Sequence, residues 1–345
     1  MIKPSKKPIF LMLVYIALVS VFTVGCGQIK KDHLSLWNNQ APAKEALVNY
    51  INEITDSKSP NFIPVEDRIA VFDMDGTLLL ETDPIYFDWL LFEHRVLDDP
   101  NYKPSQKQLE IARTVREKNI LPELSAEFEN MVAEVYKGFT IEEFYAYVRN
   151  FMQEDQPGFV GMKRGEAFYK PMLEVVEYLV KNKFMVYICS GTDRLIVRPL
   201  MEKNLPYIAP HQIIGSDSTL VARNQADADD SSYTFQKGDE LVMGGKSIVK
   251  NLQMKKVDVI AQEIGKKPVL AFGNSSGDAS MLNYTIYNNK YKALSFMLQC
   301  DDLEREYGNM EKAEKMHAAC EKYGWICVSM RDDWKTIYGD HIKRR

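Results

Sequence analysis

The sequence predicts an α/β fold, a Rossmann-like, doubly wound and mostly parallel sheet carrying an inserted helical cap domain. Three observations carry that reading. Short apolar runs rich in β-branched and aromatic residues recur at residues 68–72, 184–189, 269–273, 293–299 and 325–329, with helical stretches between them. That is the pattern of a sheet buried on both faces. The interval between the first two runs, residues 84–155, shows helix caps and helical spacing instead of strands. Third, the run at 68–72 leads straight into two carboxylates, and open α/β sheets bind ligands outside the carboxyl ends of their strands.

Taken in order, the chain opens with Lys3, Lys6 and Lys7 ahead of a nearly unbroken apolar stretch at residues 9–24. That stretch is short of the roughly 20 residues a membrane span needs and fits the apolar region of a signal peptide over residues 1–25. Its end, Thr23-Val24-Gly25-Cys26, resembles the lipobox of bacterial lipoproteins. The resemblance implies that Cys26 is acylated and anchors the chain to a membrane outside the cytoplasm. An ordinary cleaved signal and an uncleaved anchor are the alternatives. Residues 26–42 are polar and read as a tether, followed by a helix at 43–55. The core is expected at 43–82 and 157–345, and the cap at 83–156.

Within the cap, Ser105 can start a helix through 117 and Ser125 another through 137, which Gly138 ends. Thr140 and Glu143 form a capping box that opens a third. Pro171 suits the first turn of a helix running to Asn182. Residues 219–223 and 233–235 suggest a hairpin around an acidic turn at 227–230. That turn lacks the glycine and final glutamate of a calcium loop.

The segment with the most chemistry is Ala70-Val-Phe-Asp-Met-Asp-Gly-Thr-Leu78. Alternation along an extended chain puts Asp73 and Asp75 on one side. Gly76 permits a tight turn, and the Thr77 hydroxyl can fix the local backbone. Further on, an apolar run ends in Ser190-Gly191-Thr192, where a helix N-terminus would favour an anion. Lysines follow at 246, 250, 255 and 256. The run at 269–273 then leads into Asn274-Ser-Ser-Gly-Asp278.

These four elements, in this order, resemble the haloacid dehalogenase superfamily, and within it the bacterial phosphoserine-phosphatase-like hydrolases. The leader Trp37-Asn-Asn and the tail strings Asp301-Asp-Leu-Glu-Arg-Glu-Tyr and Met330-Arg-Asp-Asp-Trp-Lys extend the resemblance over residues 40–340. It implies a phosphatase that hydrolyses a small phosphorylated metabolite through an aspartyl-phosphate. Asp73 would be the nucleophile, and Asp75 would protonate the leaving oxygen and then activate water. Mg2+ would take the Asp73 carboxylate, the Asp75 carbonyl oxygen and Asn274, with Asp278 as a ligand or close by. Thr77, Ser190, Gly191 and Lys256 would hold the phosphoryl group. Lys256 is preferred among the four lysines because Lys-x-x-x-Ile opens the helix before Gly265.

Two positions depart from the family pattern. Asn274 stands where an aspartate is common. The ninth residue after the nucleophile, acidic in phosphoserine phosphatases, is Thr82, with Glu81 one earlier. Glu81, Asp83 and Arg95 remain candidates for contact with a substrate amine or carboxylate. The cap aromatics, among them Tyr86, Trp89, Tyr136 and Phe144, read mainly as the cap's own core. Met243-Gly-Gly-Lys-Ser247 imitates a phosphate-binding loop but has Glu240 where its first glycine belongs.

Composition narrows the partners. A formal net charge of -5 offers no broad attraction for nucleic acid. The five histidines show no ligand spacing, and no Cys-x-x-Cys pair exists. Cys189 reads as a small buried hydrophobe, while Cys300, Cys320 and Cys327 could include a disulfide in an oxidising compartment. The competing readings are a phosphotransferase of the same fold and a catalytically silent, ligand-binding lipoprotein. A dehalogenase would not need Asp75.

Overall fold

A computed structural model describes residues 34–82, 85–118, 125–225 and 230–345. The signal segment, Cys26, Asp83 and residues 227–229 of the acidic turn lie outside the described residues. Among those described, no helix is long and apolar enough to cross a membrane.

The elements run α1 Pro42–Thr55, β1 Ile69–Phe72, α2 Phe87–Leu97, α3 Gln106–Lys118, α4 Ala126–Glu134, α5 Ile141–Phe151, β2 Phe159–Val160, α6 Lys170–Lys181, β3 Met185–Asp193 and α7 Arg194–Asn204. They continue with β4 Ile213–Ala222, β5 Leu241–Val249, α8 Met254–Val259, β6 Leu270–Gly273, α9 Ala279–Ile286, β7 Leu294–Gln299, α10 Met310–Tyr323, β8 Ile326–Ser329 and β9 Lys343–Arg344. The main sheet has seven strands in the order β5-β4-β3-β1-β6-β7-β8. Every neighbouring pair is parallel except β4 with β5. The short β2 and β9 pair separately.

Strand β1 lies at the centre because it can be buried on both faces. Ala70 and Phe72 point into one apolar cluster, with α1 and α6, while Ile69 and Val71 point into the other, with α9 and α10. Alternation along the strand splits four consecutive apolar residues between two cores. Phe72 stacks on Phe272 and Phe272 on Phe296, with ring centroids 4.3 and 4.8 Å apart. Each ring buried this way contributes roughly 1.5–3 kcal/mol, which fixes the register of β1, β6 and β7. The carboxyl ends of β1, β3 and β6 therefore meet at one edge.

Helices α2–α5 all fall between β1 and β3 in the chain. Their caps follow the sequence: Ser125 Oγ accepts from Phe128 N, and Thr140 with Glu143 forms the capping box. Part of this block has its own small core of Ile85, Trp89, Val115, Phe128 and Met131.

Three expectations need correction. Residues 34–41, expected within a tether, belong to the folded body. Trp37 is 1% exposed, donates its indole N–H to Pro171 O, and meets Trp334 edge-on. The hairpin partner of β4 is residues 241–249, not 233–235. Leu241–Val249 supplies the apolar alternation, while the Tyr233 hydroxyl and Gln236 N are tied to the Asp239 carboxylate in a loop. Cys189, Cys300, Cys320 and Cys327 are all free thiols, so none forms the disulfide considered above.

Candidate active site

Asp73 follows β1 directly, and its backbone N–H donates to Phe272 O at 2.9 Å, so pairing with β6 continues to the nucleophile candidate. The chain then turns sharply: Leu78 N and Leu79 N both donate to Met74 O. Gly76 makes this possible with φ +75°, and a Cβ there would lie 1.8 Å from Asn274 Nδ2. Only glycine fits both the left-handed conformation and that approach.

Asp73, Thr77, Lys256 and Asp278 form one connected cluster. Lys256 Nζ donates to Asp73 Oδ1 at 2.5 Å and to Asp278 Oδ1 at 2.7 Å, while Thr77 Oγ1 lies 3.5 Å from Asp73 Oδ2. Lys256 is 1% exposed. Burial disfavours its charge, but Asp278 and Asp73 more than offset that and hold its pKa above the ordinary lysine value. The other three lysines stand elsewhere. Lys246 is exposed, Lys255 pairs with Asp258, and Lys250 lines the cavity within electrostatic range of Asp88.

Burial and the neighbouring Asp278 charge push Asp73 up to about 7, against the pull of Lys256. Asp75 is raised well above the carboxylate range by burial and then by Asp88 and Asp73. Its Oδ2 accepts from Thr192 Oγ1 at 2.8 Å. Its Oδ1 is buried without a partner among the described residues. A carboxyl held toward its neutral form, with one oxygen left over, is suited to give a proton to something bound beside it.

Asn274 and Asp278 come from the loop after β6. Asp278 Oδ2 accepts from the backbone N–H groups of Asn274 and Ser275, both at 3.1 Å. Its other oxygen accepts from Lys256, so Asp278 holds the loop and the lysine together. Asn274 Nδ2 donates to Glu81 Oε2 at 2.8 Å, leaving its oxygen as the end available to a ligand.

A match to a family model decides the kinship: the model described as haloacid dehalogenase-like hydrolase covers residues 70–283. The chain belongs to the haloacid dehalogenase-like hydrolase family. Among solved structures it is similar to a cytosolic 5'-nucleotidase IIIB bound to cytidine, with 13% identity over 87% of this chain and 90% of that one, at a TM-score of 0.48. It is also similar to a substrate-bound phosphoserine phosphatase, with 15% identity over 77% and 94%, at a TM-score of 0.38. A protein of unknown function from Anaerococcus prevotii shows 14% identity over 83% and 92%, at 0.47. No curated protein sequence matches the chain.

As a member of this hydrolase family, the chain presents an all-oxygen donor set that fits a hard divalent cation. Asp73 and Asp278 share one ammonium, Lys256, with the Asp75 carboxyl next to Asp73, so acidic oxygens outnumber the cations here. Among the described residues no three His, Cys, Asp or Glu side chains converge as a ready cluster. A cation here would rest on a mixed set of the Asp73 carboxylate, the Asp75 main-chain oxygen and the Asn274 amide oxygen. Asp278 would support it from behind, since both its oxygens are already engaged.

Other sequence expectations shift. Ser190 is fully buried, and its Oγ accepts from Thr192 N at 3.0 Å, so Gly191 and Thr192 form the cavity wall instead. Thr192 is not at a free helix N-terminus. Strand β3 runs on to Asp193, whose carboxylate accepts from Leu195 N and caps α7 itself. Glu81 lines the cavity, as a substrate contact would, and is also engaged by Lys312 and Asn274, so it supports the loop after β6. Arg95 pairs with Asp99, donates to Val135 O and packs over Tyr102 and Phe139, all within the inserted block. The Met243–Ser247 stretch lies in strand β5, with no phosphate-binding loop. Sequence reasoning missed Asp88, Thr192 as a partner of Asp75, and Lys312. No motif marks them; only long-range packing brings them in.

Proposed function

We propose that this hydrolase is a magnesium-dependent phosphatase acting on a small phosphate monoester through an aspartyl-phosphate on Asp73. The observation that carries the reading is the pairing of a lysine-held carboxylate, Asp73, with a raised, half-unpartnered carboxylate, Asp75, two residues later. A phosphate monoester repels anionic nucleophiles, so the site must balance charge while it aligns the attacker. Bound Mg2+ would supply the positive charge that screens phosphate from the carboxylates and keeps Asp73 ionised.

The chain's own residues would do the rest. Lys256 orients the Asp73 carboxylate and offers its remaining N–H to a phosphoryl oxygen. Gly191 and Thr192, on the cavity wall beside Ser190, define where that group sits, while the buried Thr77 steadies Asp73. Asp73 attacks phosphorus, and Asp75 gives its proton to the departing alcohol. The resulting Asp75 carboxylate, steadied by Thr192, then takes a proton from the water that cleaves the acyl-phosphate. Helices α2–α5 act as the cap that covers the site.

Anchoring at Cys26 outside the cytoplasm completes the proposal, supported by the leader Lys3 to Cys26. Phosphate release from an aryl phosphate tests the chemistry: it should stop on chelation and return with added Mg2+. Turnover that ignores chelation would remove the metal from the account. Cys26→Ser should release the chain from membranes, and unchanged sedimentation with them would rule out the lipid anchor.

A further inference from the structure

The cavity over Asp73 and Asp75 does not end there. Its wall continues through Asp88, Trp89 and Lys250 into a second cavity that shares those three residues. The second space is partly open to solvent and lies between α2, α4 and α5 on one side and α7, β4 and β5 on the other. Its walls are mainly apolar and aromatic, with Trp89 stacked on Phe128 at 4.9 Å and with Tyr136 and Phe144 beside them. Nothing in the phosphoryl chemistry uses this room.

Its polar groups are mostly acceptors. Asp217 is neutralised by Arg194, and Asp193 caps α7 and accepts from Ser218 Oγ. Asp88 has no such arrangement. Its Oδ1 accepts from the backbone N–H of Trp89 and the Thr192 hydroxyl stands beside it, yet among the described residues it makes no ion pair. Lys250 acts on Asp88 and Asp193 through space without reaching ion-pair distance to either. An independent feature marks the same place: the Tyr136 hydroxyl, on a residue 3% exposed, has no hydrogen-bond partner among the described residues. It lies within electrostatic range of both Asp88 and Asp193. Excess carboxylate beside aromatic faces favours an organic cation, because the ring quadrupole and the carboxylates attract the same charge.

We propose that the second cavity receives the alcohol portion of the substrate, and that the alcohol it fits carries an alkylated ammonium group. The assignment rests on the phosphatase reading, because the phosphoryl group must sit at Asp73 for the alcohol to point past Asp88. Thr192 links the two cavities, since its hydroxyl donates to Asp75 and also lies beside Asp88.

The test compares trimethylammonioethyl phosphate with its uncharged isostere, in which a tert-butyl group replaces the trimethylammonium, using the full chain with Mg2+. Wild type should prefer the cation by about tenfold or more in kcat/KM, the scale of one desolvated cation–aromatic contact. Asp88→Asn should bring the ratio close to unity. Equal turnover of the two esters by wild type, while an aryl phosphate is still hydrolysed, would overturn the pocket assignment alone. No phosphate from any of the three would remove the phosphatase reading, and the pocket with it. An unchanged preference in folded Asp88→Asn would also overturn the assignment. The wild-type ratio decides by itself should that variant not fold.

Discussion

Lys256 Nζ lies 2.5 Å from Asp73 Oδ1 across 183 residues of sequence, and the pair is almost fully buried. Asp278 completes the triad from the opposite side at 2.7 Å. A lysine so placed does two jobs at once. It aims the carboxylate, and it makes two acidic groups tolerable in one dry pocket.

Removing it should therefore be costly. Lys256→Ala leaves Asp73 and Asp278 facing each other without a counter-charge, and breaking a buried pair in this way costs about 3–5 kcal/mol. Urea denaturation of the metal-free protein should show that loss. Adding Asp278→Asn to the variant should recover part of it. A loss confined to a few tenths of a kcal/mol would mean the triad is not a buried ion pair in solution.

Asp75→Asn removes the proposed proton donor without changing its size. Turnover should fall about 100- to 10,000-fold for an alkyl ester, the usual contribution of general acid–base catalysis. An aryl phosphate, whose leaving group needs less help, should suffer less. Equal losses for both esters would argue that Asp75 acts on something other than the leaving oxygen.

Gly76→Ala probes the turn that brings Asn274 against the Asp73 loop. The left-handed φ of +75° and the 1.8 Å approach to Asn274 Nδ2 leave no place for a methyl group. Destabilisation beyond about 1 kcal/mol is expected where alanine must adopt positive φ, along with a raised Mg2+ requirement. Wild-type values for both, by thermal melting and metal titration, would contradict the loop geometry.

Asp193 gives a pH signature. Burial lifts its carboxyl from the ordinary 3.8 to about 6. Between those values the folded chain holds a proton that the unfolded chain has released, so stability falls as pH rises through this window. Asp193→Asn keeps a capping side chain but cannot titrate. Relative to wild type, it should gain stability between pH 4 and pH 7. A constant difference across that range would show that Asp193 titrates normally.

The sheet was legible because a strand buried on both faces must be apolar throughout, and residues 69–72 and 270–273 leave few alternatives. Asp73 and Gly76 were legible for a related reason: an abrupt change from apolar to acidic residues followed by glycine marks a strand end. Lys256 could be chosen among four lysines only by likeness, since the distance to Asp73 is a property of the closed sheet. The Glu81–Lys312 pair and the approach of Asp88 to Asp75 depend on contacts between distant segments and leave no periodic trace. The wrong hairpin partner has a local cause. Tyr233-Thr-Phe has strand-like composition, yet Asp239 draws it into a loop while the longer apolar run at Leu241–Val249 pairs with β4.

The most direct measurement is acid quenching during turnover of a phosphate ester labelled in its phosphoryl group, followed by mapping of the labelled peptide. Covalent phosphate should appear on the peptide containing Asp73, in the wild type and not in Asp73→Asn. Rapid turnover with no protein-bound label, or label that persists in Asp73→Asn, would contradict the account.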